Sequence, residues 1–86
     1  MWRYRVWQHK ASGETYAVTL NSDGHVSDAA GPLYYAEYGA ALRGDYTGDI
    51  TIAISLANND RAYEDVTRAI EVLVDSDPDT YGKDRS

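Results

Sequence analysis

Hydrophobic and polar residues alternate along three short segments near the N-terminus, which is the pattern of half-buried β-strands. The segments are residues 2–9, 15–20 and 25–29, of which the third is the shortest and weakest. Turn-forming sequences separate them, and the second of these, NSDG at 21–24, contains the Asp-Gly pair that suits tight hairpins. The pattern therefore predicts a three-stranded β-meander, with Trp2, Tyr4 and Val6 of the first strand facing the core.

The strictest alternation in the chain lies further on, at residues 50–57. Isoleucine or leucine occupies every second position from Ile50 to Leu56, and Thr, Ala or Ser occupies the positions between them. Eight residues of period two, rich in β-branched side chains, favour a strand over a helix. We therefore predict a fourth strand here.

Two other segments have helical spacing. Residues 61–75 place apolar side chains on one stripe, and Asn58-Asn-Asp60 before them offers N-cap oxygens. The stripe comprises Tyr63, Val66, Ile70, Leu73 and Val74. A shorter helix is predicted at residues 33–43, because Pro32 suits a first helical turn and Gly44 suits a stop.

The predicted order β-β-β-α-β-α corresponds to an α+β fold. We expect a small antiparallel sheet, made of the meander and the later strand, with the C-terminal amphipathic helix and the shorter helix packed on one face. Residues 1–76 would form a single domain, and residues 77–86 a polar, frayed tail.

Packing on one face leaves the other face of the sheet open, and the first strand places an unusual set of side chains there. Arg3, Arg5 and Trp7 alternate with the predicted core residues, and would stand beside a floor of small side chains. The floor comprises Thr15, Ala17, Thr19, Thr51, Ala53 and Ser55. Arginine, tryptophan and tyrosine are enriched at binding hot spots. The alternative is that Trp7 only stacks under the two arginine stems, or under a helix whose position is misassigned here, and that the face is solvated.

Composition and charge narrow the possible functions. The 86 residues include no cysteine, which excludes disulfides, zinc–thiolate sites and thiol nucleophiles. The formal net charge of −6 disfavours binding to nucleic acid. The first twenty residues are nevertheless basic, with three cationic side chains and one glutamate. No stretch is apolar enough for a membrane span or a signal peptide. We expect a soluble, cytoplasmic protein without a cofactor or metal.

A second surface is acidic, and its carboxylates lie on the predicted last helix and its tail. They are Glu64, Asp65, Glu71, Asp75, Asp77 and Asp79. Such a row can imitate nucleic-acid phosphates, as in small acidic inhibitor proteins. The usual explanation of such a row is a solvated helix face, and the arginines that interrupt it weaken any field of a single sign.

Evidence for catalysis is thin. His9 and His25 are the only histidines, and a meander would keep the second strand between them. No serine lies in a nucleophile-elbow context, and no glycine-rich phosphate loop is present. We therefore favour a non-enzymatic protein that binds a protein partner or a second copy of itself. The predicted interaction residues are Arg3, Arg5, Trp7, Tyr34, Tyr35 and Tyr38.

Overall fold

The computed structural model describes residues 3–82, in which helices flank a four-stranded antiparallel sheet. The meander forms where the alternation predicts it, as β1 (Arg3–His9), β2 (Thr15–Leu20) and β3 (Val26–Ala30). A fourth strand, β4 (Tyr63–Asp65), pairs with β1, and the strand order is β3-β2-β1-β4. The predicted α+β fold with an antiparallel sheet is confirmed.

The helices lie between and after the last two strands. They are α1 (Tyr38–Arg43), α2 (Ile50–Asn58), α3 (Thr67–Ser76) and the short α4 (Pro78–Tyr81), with 3-10 turns at Tyr35–Glu37 and Asp60–Ala62. Gly44 ends α1 with φ of 77°, and its N–H bonds back to the carbonyl of Ala41. The predicted glycine stop is therefore confirmed, because glycine adopts this left-handed conformation without a side-chain clash.

The prediction of a strand at residues 50–57 is wrong, because this segment is the helix α2. Asp49 precedes it in an extended conformation, and its carboxylate accepts hydrogen bonds from the N–H groups of Thr51 and Ile52. This N-cap satisfies amides that have no partner within the helix. Ala53 and Leu56, three positions apart, are buried, whereas Ile50 and Ile54 are exposed. The isoleucines thus follow helical rather than alternating geometry.

The fourth strand and the last helix are consequently shifted from their predicted positions. The predicted helix 61–75 begins only at Thr67, and residues 63–65 before it extend as β4. In this strand Tyr63 lies opposite His9, and Asp65 lies opposite Trp7. Pairing with the free edge of β1 provides backbone hydrogen bonds that outweigh the helical spacing of these three residues.

Both faces of the sheet are covered. Val6 and Ala17 lie directly opposite each other and belong to one cluster, which is packed against α1 and α3. Neighbouring positions along a strand face opposite sides. The next residue, Val18, accordingly belongs to a second cluster, which we call the α2 cluster. Its buried members are Val18, Ala29, Ala53 and Leu56.

One detail of the predicted core also changes. Tyr4 was expected in the core, but its ring is exposed and lies against Gly44, where a Cβ atom would stand 2.6 Å from the ring. Trp2, also expected in the core, lies outside the described residues.

Within the predicted tail, residues 78–81 form the helix α4. The Asp77 carboxylate caps this helix by accepting a hydrogen bond from the Thr80 N–H. This helix contacts α3 and the turn before α1.

Candidate functional site

The sheet face that carries Trp7 is not open, contrary to the prediction. In the pairing of β1 with β2, Trp7 lies opposite Tyr16 and Arg5 opposite Val18, whereas Thr15, Ala17 and Thr19 occupy the other face. Trp7 is half-buried and packs against the α2 cluster. This face is covered because residues 50–58 form a helix that packs on it. The alternation at residues 50–57 predicted a strand there, and so no covering element was expected.

Arg5 is likewise not a free cation on an open face. Its Nε donates to Oδ2 of Asp65 at 2.8 Å, and both side chains remain a little over one-third exposed. The hydrogen bond from Arg5 to Asp65 raises the pKa of the guanidinium. Burial raises the pKa of Asp65, but hydrogen bonds from Arg5 and Thr67 outweigh it, so that this pKa lies below its ordinary value. Arg3 is exposed at the start of β1.

Acidification is expected to remove the stabilisation that the Asp65 carboxylate provides. A folded-state pKa below the unfolded value stabilises the fold above the unfolded pKa, and this contribution is lost as the pH falls through the folded pKa. Asp65→Asn should therefore lower the free energy of unfolding at pH 7, by less than ~1 kcal/mol because the pair is partly exposed. The deficit should be smaller at acid pH, below the unfolded pKa of ~4, than at pH 7, as measured by urea unfolding of both proteins. An equal deficit at both pH values would contradict the prediction.

The predicted tyrosines meet at one surface, together with a tyrosine that the sequence reasoning missed. Tyr34 and Tyr35 are 77% and 59% exposed. The Tyr35 ring meets Tyr81 edge-on, with centroids 6.1 Å apart, and the Tyr38 ring stacks on Tyr81 at the same separation, with planes 7° apart. We call Tyr34, Tyr35, Tyr38 and Tyr81 the tyrosine surface.

The tyrosine surface depends on a close approach between two glycines. A Cβ atom on Gly39 of α1 would stand 2.6 Å from the Cα atom of Gly82, so the two backbones meet where no side chain intervenes. This contact brings α4, and with it Tyr81, against the α1 region. Gly39 weakens the helical propensity of the segment, and its packing role explains why glycine is nevertheless found there.

The turn that presents Tyr34 and Tyr35 is held by local hydrogen bonds. The Tyr34 N–H donates to Oε1 of Glu37 at 2.9 Å, and the Glu37 N–H donates to the Tyr34 carbonyl at 2.9 Å. Tyr38, next along the chain, is half-buried and packs against the cluster of Val6 and Ala17. The turn that carries the exposed rings of Tyr34 and Tyr35 is therefore held by its own hydrogen bonds and by the packing of Tyr38 after it.

The acidic row predicted on one helix is divided among three elements. Glu64 and Asp65 lie on β4, not on the helix, so the prediction of one continuous helix face is wrong for them. Glu71 and Asp75 lie on α3, and Asp77 caps α4, which contains Asp79. Asp65 is moreover neutralised by Arg5. The hypothesis of a phosphate-mimicking inhibitor stays untested. The single helix on which it placed these carboxylates is not present.

The histidines do not form a catalytic pair. His9 and His25 lie on opposite sides of β2, near β1 and β3 respectively, as the strand order requires. His9 Nδ1 instead accepts from the Ser12 backbone N–H at 3.2 Å, and its ring contacts Tyr63 edge-on. Within residues 3–82, no group of three or more His, Asp or Glu side chains is placed to hold a metal ion.

Sequence reasoning also missed a cleft beside the α2 cluster. It has a volume of about 330 Å³, and its walls come from β1, the turn between β2 and β3, and the end of α2. The lining residues are Trp7, Gly24, His25, Val26, Ala57 and Asp60. Because the cleft exists only where α2 packs on the sheet, no local pattern in the chain indicated it.

Comparison with known proteins adds no function to these surfaces. No protein-family model, no curated protein and no solved structure matches the chain. Among the helices of the described part of the chain, none is long and apolar enough to cross a membrane. The function has therefore to be inferred from the surfaces of the chain itself.

Proposed function

We infer that the chain is a non-enzymatic interaction protein that binds another protein, either a different partner or a second copy, through the tyrosine surface. The observation that carries this proposal is the exposure of Tyr34 and Tyr35 beside the stacked rings of Tyr38 and Tyr81. Of the predicted interaction residues, Tyr35 and Tyr38 both contact the ring of Tyr81, and Tyr34 directly precedes them in the chain. Trp7 and Arg5 are engaged elsewhere.

The chemistry of tyrosine supports this proposal. Each ring offers a large apolar area together with a hydroxyl that can donate or accept, and only two torsions must be fixed on binding. Contacts with Tyr81 and the Glu37 hydrogen bond already restrict Tyr35 and the backbone of Tyr34. Pre-organisation of this kind lowers the entropic cost of association.

Removal of the two exposed rings is expected to weaken binding and leave the fold intact. We predict that the double variant Tyr34→Ala/Tyr35→Ala loses at least ~10-fold in affinity, since exposed aromatic anchors dominate interface energies. Light scattering over a range of concentrations measures binding to a second copy. For a different partner, peptides are selected from a random display library on the wild-type protein, and their dissociation constants are measured on both proteins.

The matched control is the double variant Ile50→Ala/Ile54→Ala, which removes two exposed apolar side chains from α2 instead. This control variant should form the dimer, or bind the selected peptides, with the same affinity as the wild type. The proposal fails if the wild-type protein is monomeric throughout and selected peptides bind the tyrosine variant as tightly as the wild type. It fails equally if the isoleucine variant shows the larger loss.

A further inference from the structure

The cleft beside the α2 cluster combines an aromatic wall with polar groups that nothing in the described chain uses. The Trp7 side chain is half-buried. Its indole N–H has no hydrogen-bond acceptor within residues 3–82, and the nitrogen atom itself remains accessible to solvent. Its ring lies 6.4 Å from that of Tyr63, which helps hold it in place. Trp7 thus forms an aromatic part of the cleft wall, and its indole N–H is not used within the described chain.

Asp60 supplies a negative charge at the cleft. Among the described residues, its carboxylate takes part in no ion pair or side-chain hydrogen bond. The nearby cation Lys10 donates to the Arg61 carbonyl at 3.0 Å instead of binding Asp60. The net charge of −6 adds a field that attracts cations to any such site.

We propose that this cleft binds an ammonium group carried on a short apolar stem. The ammonium pairs with the Asp60 carboxylate, and the stem packs against Trp7, Val26 and Ala57. Aromatic rings attract organic cations, and a carboxylate adds a charge-assisted hydrogen bond to an ammonium group. A volume of about 330 Å³ lies at the lower end of ligand-site sizes and suits a small amine or a lysine side chain.

Two other clefts of the described chain offer a cation less favourable charges. One, with a volume of about 370 Å³, is lined by the carboxylates of Glu71 and Asp75, but Arg5 lines it too, and its positive charge interacts with Glu71 and opposes the entry of a cation. The other, with a volume of about 230 Å³, has Glu37 as its charged lining residue, and this carboxylate already accepts from the Tyr34 N–H. The Trp7 cleft therefore combines an unengaged carboxylate with a lining that contains no arginine or lysine.

Nuclear magnetic resonance titration tests the proposal with defined probes. The ¹⁵N-labelled protein is titrated with n-butylammonium, with 1-butanol as the neutral analogue, and with N-acetyl-lysine methylamide as a model of a lysine in a chain. The Trp7 indole N–H and the Ala57 amide should shift with both ammonium probes, and 1-butanol should bind at least ~10-fold more weakly. Tighter binding of n-butylammonium assigns the site to a free amine. Tighter binding of the lysine derivative assigns it to a protein side chain.

Asp60→Asn should weaken ammonium binding by ~10-fold, and the matched control Asp79→Asn, an equal change of charge on α4, should not. Asp60 is exposed, so its replacement leaves the fold intact. As a second variant, Ala57→Leu fills part of the cleft and should weaken both ammonium probes. The proposal is overturned if 1-butanol binds as tightly as n-butylammonium. Equal effects of Asp60→Asn and Asp79→Asn, or an absence of shifts at Trp7, would overturn it as well.

Discussion

Replacement of Leu56 by alanine is expected to lower the free energy of unfolding by about 2–5 kcal/mol, the largest loss of any single truncation considered for this chain. Leu56 is 1% exposed and is the largest side chain in the α2 cluster that is fully buried. Its truncation leaves a cavity between α2 and the sheet. Domains of this size are stable by only about 5–15 kcal/mol. The melting temperature should fall steeply, as followed by circular dichroism.

The matched control for Leu56→Ala is Ile54→Ala on the same helix. Ile54 is 53% exposed, and its truncation should change the free energy of unfolding by no more than about 0.5 kcal/mol. In a strand, these two residues would lie on one face and suffer similar losses. Equal destabilisation by the two variants would therefore contradict the helical assignment of residues 50–58.

Replacement of Thr67 by valine is expected to cost about 1–3 kcal/mol, because it leaves a buried backbone donor without an acceptor. The Val6 N–H donates to the Thr67 hydroxyl at 2.9 Å, and Thr67 is only 3% exposed. The Val66 N–H donates to the Val6 carbonyl next to it. Thr67 thus extends the edge pairing of β1 beyond the end of β4 and joins the sheet to the first turn of α3.

Urea unfolding measures the loss, and amide hydrogen exchange locates it. The Val6 amide should exchange faster in Thr67→Val than in the wild type. Thr67→Ser is the control, since it removes the methyl group but keeps the hydroxyl, and its Val6 amide should remain protected. Wild-type protection of Val6 in the valine variant would show that this hydrogen bond is not what holds the sheet to α3.

The alternation of residues along the first thirty positions was enough to predict β1, β2 and β3. Their turns are encoded locally: Gly13 and Gly24 both adopt positive φ, as tight turns between strands require. Gly44 as the end of α1 was equally predictable, since a left-handed residue after a helix is most easily glycine. These elements depend on neighbours a few residues away.

The segment 50–58 shows where sequence reasoning reached its limit. Apolar residues at every second position over eight residues fit a strand, but Ile52 and Leu56, four apart, also form the stripe of a helix. The N-cap at Asp49 and the burial of Ala53 against β3 select the helix. The wrong assignment of this segment also made the second prediction wrong. Without a helix at 50–58, the sheet face that carries Trp7 was expected to be open.

The sequence by itself determined the meander, the α+β class, the helix stop at Gly44 and the clustering of Tyr34, Tyr35 and Tyr38 within five positions. The tertiary structure decided which apolar segment covers each face of the sheet, where the fourth strand lies, and that Tyr81 completes the tyrosine surface. Local propensities at residues 50–58 and 63–65 are compatible with either helix or strand. Burial and backbone pairing between distant segments exceed such small preferences, so only the packed fold resolves them.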